Sequence, residues 1–152
     1  MAALGVPVCL MHMQGEPRRM QHNPVYTDVV SEVRDFLRER IEACVAAGIP
    51  RQRIIVDPGF GFGKTAEHNL ELLRRLGELR MLGVPILAGL SRKSMIGALL
   101  GLPVAQRLQA SVALALIAVQ NGATILRVHD VRATREAIRM FEAVYPRTGE
   151  RI

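Results

Sequence analysis

The sequence predicts an α/β protein in which parallel strands are covered by helices, and three observations carry that expectation. Short apolar runs alternate four times with longer stretches of helical periodicity. The runs are apolar at successive positions, which suits strands buried on both faces. The unusual polar residues follow these runs directly, at the carboxyl ends of the strands, where binding groups gather in such architectures.

Residues 6–12 form the first run, preceded by Gly5 and stopped by Gln14, Gly15 and Pro17. A helix follows from about Val25, with Val29, Val30, Val33, Phe36, Leu37, Ile41, Cys44 and Val45 on one face and Gly48 and Pro50 ending it. Ile54, Ile55 and Val56 make the second strand, which runs into Asp57, Pro58 and a glycine-rich loop. Leu70, Leu73, Leu76 and Leu79 then mark a second helix, closed by Gly83. Residues 84–88 are the third strand, Ser91 opens a short helix, and residues 105–120 make a longer one rich in Ala and Leu. Residues 123–128 are the fourth strand and 133–144 the last helix. No linker or low-complexity segment divides the chain, so residues 1–152 read as one unit.

Composition narrows the function classes. At 49% hydrophobic and 22% charged the chain is globular rather than disordered, collagen-like or disulfide-stapled. With no Trp, two Tyr and four Phe, its core must come from Leu, Ile, Val, Ala and Met, and stacking on nucleic-acid bases is disfavoured. A net charge of +6 fits nucleic acid, an anionic membrane surface or a small anionic ligand, and charge alone does not choose. The Arg18-Arg19 pair, the charges of residues 34–40 and Arg74-Arg75 read as solvated faces without interleaved aromatics, so no nucleic-acid partner is expected. Cys9 and Cys44 are expected as reduced thiols of a cytoplasmic protein. The amino-terminal stretch lacks the basic start and cleavage site of a signal peptide, and polar residues interrupt the uncharged run 108–126, so no membrane span is expected.

Three readings are open for the segment from Asp57 to Thr65. Gly63-Lys64-Thr65 is the ending of a phosphate-binding loop, but Pro58 stands where that pattern needs its first glycine. A plain flexible loop with an exposed lysine is the second reading. The third fits better: Asp57 is a carboxylate at the mouth of a parallel sheet, able to accept two hydrogen bonds from an amino-pyrimidine edge, while the glycines let Phe62 fold against a flat ligand.

Ser91 is expected to cap the short helix, which puts Arg92 and Lys93 in a first turn whose dipole disfavours cations by ~0.3–1 kcal/mol each. Two cations and the Ser94 hydroxyl at such a place suit a carboxylate or phosphate. Arg127 and His129 alternate at the end of the fourth strand and so share a face fit for a diphosphate. Asp130 either orients His129 or is the next helix's first acid. His12, between Met11 and Met13, is read as core packing before ligand. Cys9, Cys44, His12, His22, His68 and His129 have no metal-ligand spacing, so no zinc site is expected.

Met11-His12 with Gly15 and Pro17, the 57–64 loop, Gly89-Leu90-Ser91-Arg92-Lys93-Ser94 and Arg127-Val128-His129-Asp130-Val131 together resemble dihydropteroate synthase, the folate-pathway family blocked by sulfonamides. They stand in that family's order across nearly the whole chain. The resemblance implies a transferase joining 4-aminobenzoate to a dihydropterin-methyl diphosphate, with loss of diphosphate. It assigns Asp57 and Lys93 to pterin hydrogen bonding, Met11 and Gly89 to the pterin pocket, and Arg127 to a place over the ring. Arg127 and His129 would hold the leaving diphosphate, and Phe62 and Ser94 the aminobenzoate. Lys93, Arg127 and His129 are thereby the expected catalytic set.

The family fold is a (β/α)8 barrel, around 250 residues in typical cases. The resemblance therefore implies a (βα)4 half barrel, strands five to eight, with a first half that supplies the magnesium-associated Asn and the remaining pterin contacts. No metal ligand is expected among residues 1–152. Open strand edges imply self-association or a complementing amino-terminal half. A non-catalytic pterin- or anion-binding half barrel and a nucleotide-binding P-loop protein are the competing readings.

Overall fold

The structure is a computed structural model that describes residues 1–16, 20 and 23–146. Pro17, Arg18-Arg19 and His22, which entered the sequence reading, lie outside the described residues. The first apolar run forms β1 (Val8–Met11), and the second forms β2 (Ile54–Asp57). They pair in parallel from Val8 opposite Ile54 to Met11 opposite Asp57. β3 (Leu87–Ala88) pairs in parallel with β4 (Ile125–Leu126), and an isolated parallel bridge from Val56 to Ile86 ties the two pairs together. The expected parallel alternation is therefore present, in shorter strands than expected. Pro85 explains part of the shortening at β3, because it has no N–H for the ladder, and its carbonyl only accepts from Val56.

Helix α1 (Val29–Ala46) starts later than Val25 because Asp28 caps it, accepting from the amides of Val30 and Ser31. Its face of Val29, Val30, Val33, Leu37 and Ile41 is buried as the spacing implies, with Phe36 and Cys44 half-buried, but Val45, expected on the same face, is exposed at the helix end. Thr65 and His68 form a capping box at α2 (Ala66–Arg74). The expected single helix to Gly83 is instead broken at Arg75, and residues Leu76–Leu82 form a 3-10 helix closed by left-handed Gly83. Spacing gives the reason: Leu73, Leu76, Leu79 and Leu82 recur every three residues, and only a three-residue turn stacks them in one buried row.

Helices α3 (Ser94–Leu100), α4 (Leu108–Gln120) and α5 (Val131–Val144) complete the chain. Residues of α1, α2, α3 and α4 and the leucine row form one core with Ile54, Val56, Phe60, Ile86 and Ala88, and α5 packs on α4. β1 alternates between half-buried and exposed residues, so the face carrying Cys9 and Met11 is open, contrary to strands covered on both sides. Among the described residues no helix is long and apolar enough to cross a membrane.

Candidate functional site

The carboxyl ends of the strands deliver their polar residues to one rim. Asp57 closes β2 and is buried, at 3% exposure. Its Oδ1 accepts from the Gly59 amide at 2.8 Å, and its Oδ2 lies 3.3 Å from the Arg127 guanidinium. Burial raises the Asp57 pKa, and the Gly59 amide, Arg127, Lys93 and Lys64 oppose that rise. Met11 stands beside Asp57 in register at the open end of β1. Gly89, just past β3, is the floor beneath Arg127, since a Cβ there would meet the guanidinium at 3.0 Å.

The glycine loop is packed closely and hydrogen-bonded on several sides. Gly59 has φ 71°, and a Cβ on it would lie 1.8 Å from the His12 carbonyl oxygen; at Gly63 it would lie 2.5 Å from that of Gln14. Only glycine lets the loop press onto the chain leaving β1. Asn69, buried in α2, accepts from the Gly61 amide at 2.7 Å and donates to the Thr65 carbonyl, while the Tyr26 hydroxyl donates to that of Gly63. Phe62 is thereby fixed with the Lys93 ammonium 4.1 Å above its ring.

Lys64 decides against the two other readings of its loop. Instead of an exposed side chain it is 3% exposed, with Nζ 3.0 Å from the Gly59 carbonyl, 3.1 Å from that of Phe62 and 2.9 Å from His12 Nδ1. A P-loop lysine must reach out to phosphate, whereas these three acceptors use every proton of an ammonium. The nucleotide-binding reading fails on that geometry. His12 is buried as expected, but it is a polar anchor as well as packing, edge-on to Phe36 at 5.0 Å. Burial and the Lys64 charge push its pKa down to about 4.

Ser91 does not cap a helix. Arg92 takes a left-handed φ of 56°, which no right-handed helix continues through, and α3 begins at Ser94 with Lys93 in the capping position. The Arg92 amide donates to Ser111 Oγ at 2.9 Å, and its guanidinium grips both Asp130 oxygens at 2.7 and 3.1 Å. Asp130 is thus spent on Arg92, which lowers its pKa, and neither residue is free for a ligand. Arg107 donates to the carbonyls of Leu102, Arg92 and Lys93, locking the turn from behind. The turn leaves Lys93 half-buried and Ser94 exposed on the rim. Ser91 is buried instead under His129, its Oγ 3.2 Å from the His129 amide and 3.0 Å from Nδ1. His129 therefore rests on Ser91, while Arg127 reaches to Asp57.

Sequence reading missed Lys64, Tyr26, Asn69, Arg107 and Ser111 as supports of the site. One signal was present: of 20 basic residues only Lys64 and Lys93 are lysines, and both are here. Among the described residues no three carboxylate, imidazole or thiol groups assemble a metal site, and Asp57 is already engaged by Gly59 and Arg127. These residues do not by themselves fit magnesium.

Fold and rim define an α/β protein that presents a buried carboxylate, the half-buried Lys93, the exposed Arg127 and an aromatic face to a ligand. Residues 1–129 match the family described as pterin binding enzyme, and the chain belongs to that family. It is 56% identical over 140 residues to dihydropteroate synthase of Haemophilus influenzae, covering 92% of this chain and 51% of that protein. The Escherichia coli dihydropteroate synthase is 52% identical over 142 residues, covering 93% and 50%. The solved dihydropteroate synthase of Stenotrophomonas maltophilia, with imidazole bound in its active site, superposes with a TM-score of 0.92 at 54% identity, over 95% of this chain and 55% of that one. The Thermus thermophilus enzyme in complex with 4-aminobenzoate gives 0.89 at 51% identity, over 95% and 59%. The chain spans about half the length of the curated relatives it matches.

Proposed function

We propose that this chain is the pterin-holding portion of a dihydropteroate synthase, with β1–β4 standing as strands five to eight of a (β/α)8 barrel. The carrying observation is Asp57, a buried carboxylate at a strand end with an arginine on one oxygen and a backbone amide on the other. Its remaining lone pairs suit the paired N–H groups of an amino-pyrimidine edge. Lys93 joins Asp57 on the pterin, Met11 and Gly89 line its pocket, and Arg127 lies over the ring. Arg127 and His129 take the diphosphate; Phe62 and the Ser94 hydroxyl face the aminobenzoate.

In the proposed reaction the C–O bond to diphosphate breaks, and its electron pair leaves with the diphosphate held by Arg127 and His129. The neutral amine attacks the pterin-stabilised cation and then loses its proton. Such chemistry needs charge stabilisation and positioning more than a strong base. Magnesium enters this reading only as a counter-ion of the diphosphate. Turnover requires a supplied amino-terminal half, and pterin binding without turnover is the reading for the chain on its own.

Calorimetry with the dihydropterin-methyl diphosphate tests the reading. Asp57→Asn should weaken binding by about 1.5–3 kcal/mol, the worth of a charge-assisted hydrogen bond. An unchanged dissociation constant removes Asp57 from the pocket.

A further inference from the structure

We propose that Lys64 is a positioning residue for Asp57, holding the glycine loop closed from behind and supplying the buried positive charge that keeps the carboxylate ready for its ligand. The inference rests on the pterin reading of Asp57 for its purpose, and on the structure for its geometry. The Lys64 ammonium sits in a cage of acceptors with one proton for each: the carbonyls of Gly59 and Phe62 and the Nδ1 of His12. Two of them flank the turn whose Gly59 amide grips Asp57, and the third belongs to the chain end on which Gly59 rests. Removing the ammonium frees both ends of that turn at once, while Asp57 loses a cation that no solvent replaces.

The surroundings make this pairing electrical as well as mechanical. Burial pushes Lys64 down to about 7, with Asp57 pulling it back up and Lys93 pushing it further down. His12 faces it from the end of β1 and stays neutral around pH 7, so it accepts rather than repels. Tyr26 and His68, edge-on to each other at 4.9 Å, flank the loop from before α1 and from α2, and Arg127 faces Asp57 from beyond β4.

Because the chain has two lysines, the test is direct. Titrating the ligand-free chain, labelled with carbon-13 at lysine Cε and aspartate Cγ, should give one lysine midpoint near neutrality and an Asp57 signal that inflects a second time at that same pH. In Lys64→Met the second inflection should vanish and the Asp57 midpoint should rise, because a cation that lowers it is gone. A merely structural lysine would leave Asp57 without that inflection. Two ordinary lysine midpoints above about pH 10, or an Asp57 signal blind to Lys64, overturn the inference. Where Lys64→Met does not fold, the wild-type titration decides by itself. Calorimetry of the wild-type chain with the pterin diphosphate separates the two readings: coupling without pterin binding sinks the ligand assigned to Asp57 and leaves the Lys64–Asp57 pairing standing.

Discussion

At the scale of single residues, the rim is held by side chains whose charge states are set by burial. His12 is neutral in the fold, with a pKa of about 4 against 6.5 when exposed. Between those values the unfolded chain binds more protons, so stability is lost as pH falls from 6.5 through about 4. Asp57, raised above 3.8 by burial, gives a slope of opposite sign in the acid range, so comparison with His12→Asn is needed to isolate the effect. Urea unfolding across that window should show the wild type losing about 1–3 kcal/mol more than the variant; parallel curves would show that His12 protonates freely. Ser94→Ala, placed in a complete enzyme carrying this region, should raise the KM for 4-aminobenzoate more than that for the pterin substrate, because it removes one local contact. Equal effects on both would point to a folding defect. The places of Asp57, Lys93 and Arg127 on the rim were legible because each follows an apolar run, and that of Phe62 because it stands among the loop glycines. Lys64 was not, since its burial depends on a loop returning to His12 across 52 residues of chain.

At the scale of elements, strand–helix alternation was legible and element ends were not. The leucine row is compatible in sequence with either helix, because a spacing of three also occurs on an α-helical face, and here the 3-10 turn of Leu76–Leu82 buries Leu76, Leu79 and Leu82 together. The capping error at Ser91 has a different origin. A serine before basic residues is a fair capping signal, but Arg107, Ser111 and Asp130 impose a left-handed turn on Arg92 from distant parts of the chain. Arg107 is central to this, and Gly97 leaves room for it, since a Cβ there would lie 2.1 Å from the guanidinium. Arg107→Met should therefore strand the carbonyls of Arg92 and Lys93 and cost about 1–3 kcal/mol, read as a lowered denaturant midpoint. Pterin binding should weaken with it, because Lys93 loses its fixed place. A variant of unchanged stability would show that water replaces the guanidinium and that the turn is held by Ser111 and Asp130 alone.

For the whole molecule, the consequence lies in what the sheet leaves open. Among the described strands β1 pairs only with β2, and β4 only with β3, so the outer side of each carries backbone groups without a ladder. Beside the β1 edge Val6, Cys9 and Met11 are exposed, and on α5 so are Val131, Met140 and Val144. Unpaired edges next to apolar surface are templates for association, and each parallel βα unit can form locally without closing a barrel. The chain on its own should therefore elute larger than its 16.8 kDa monomer and show no synthase turnover. A separately expressed amino-terminal half should restore product. Val6→Lys places a charge beside the β1 edge without touching the rim, and it should shift elution toward the monomer while leaving pterin binding unchanged. A compact wild-type monomer that makes dihydropteroate unaided would defeat this argument, because the open edges would then be harmless and the rim of Asp57, Lys93, Arg127 and His129 sufficient for the reaction.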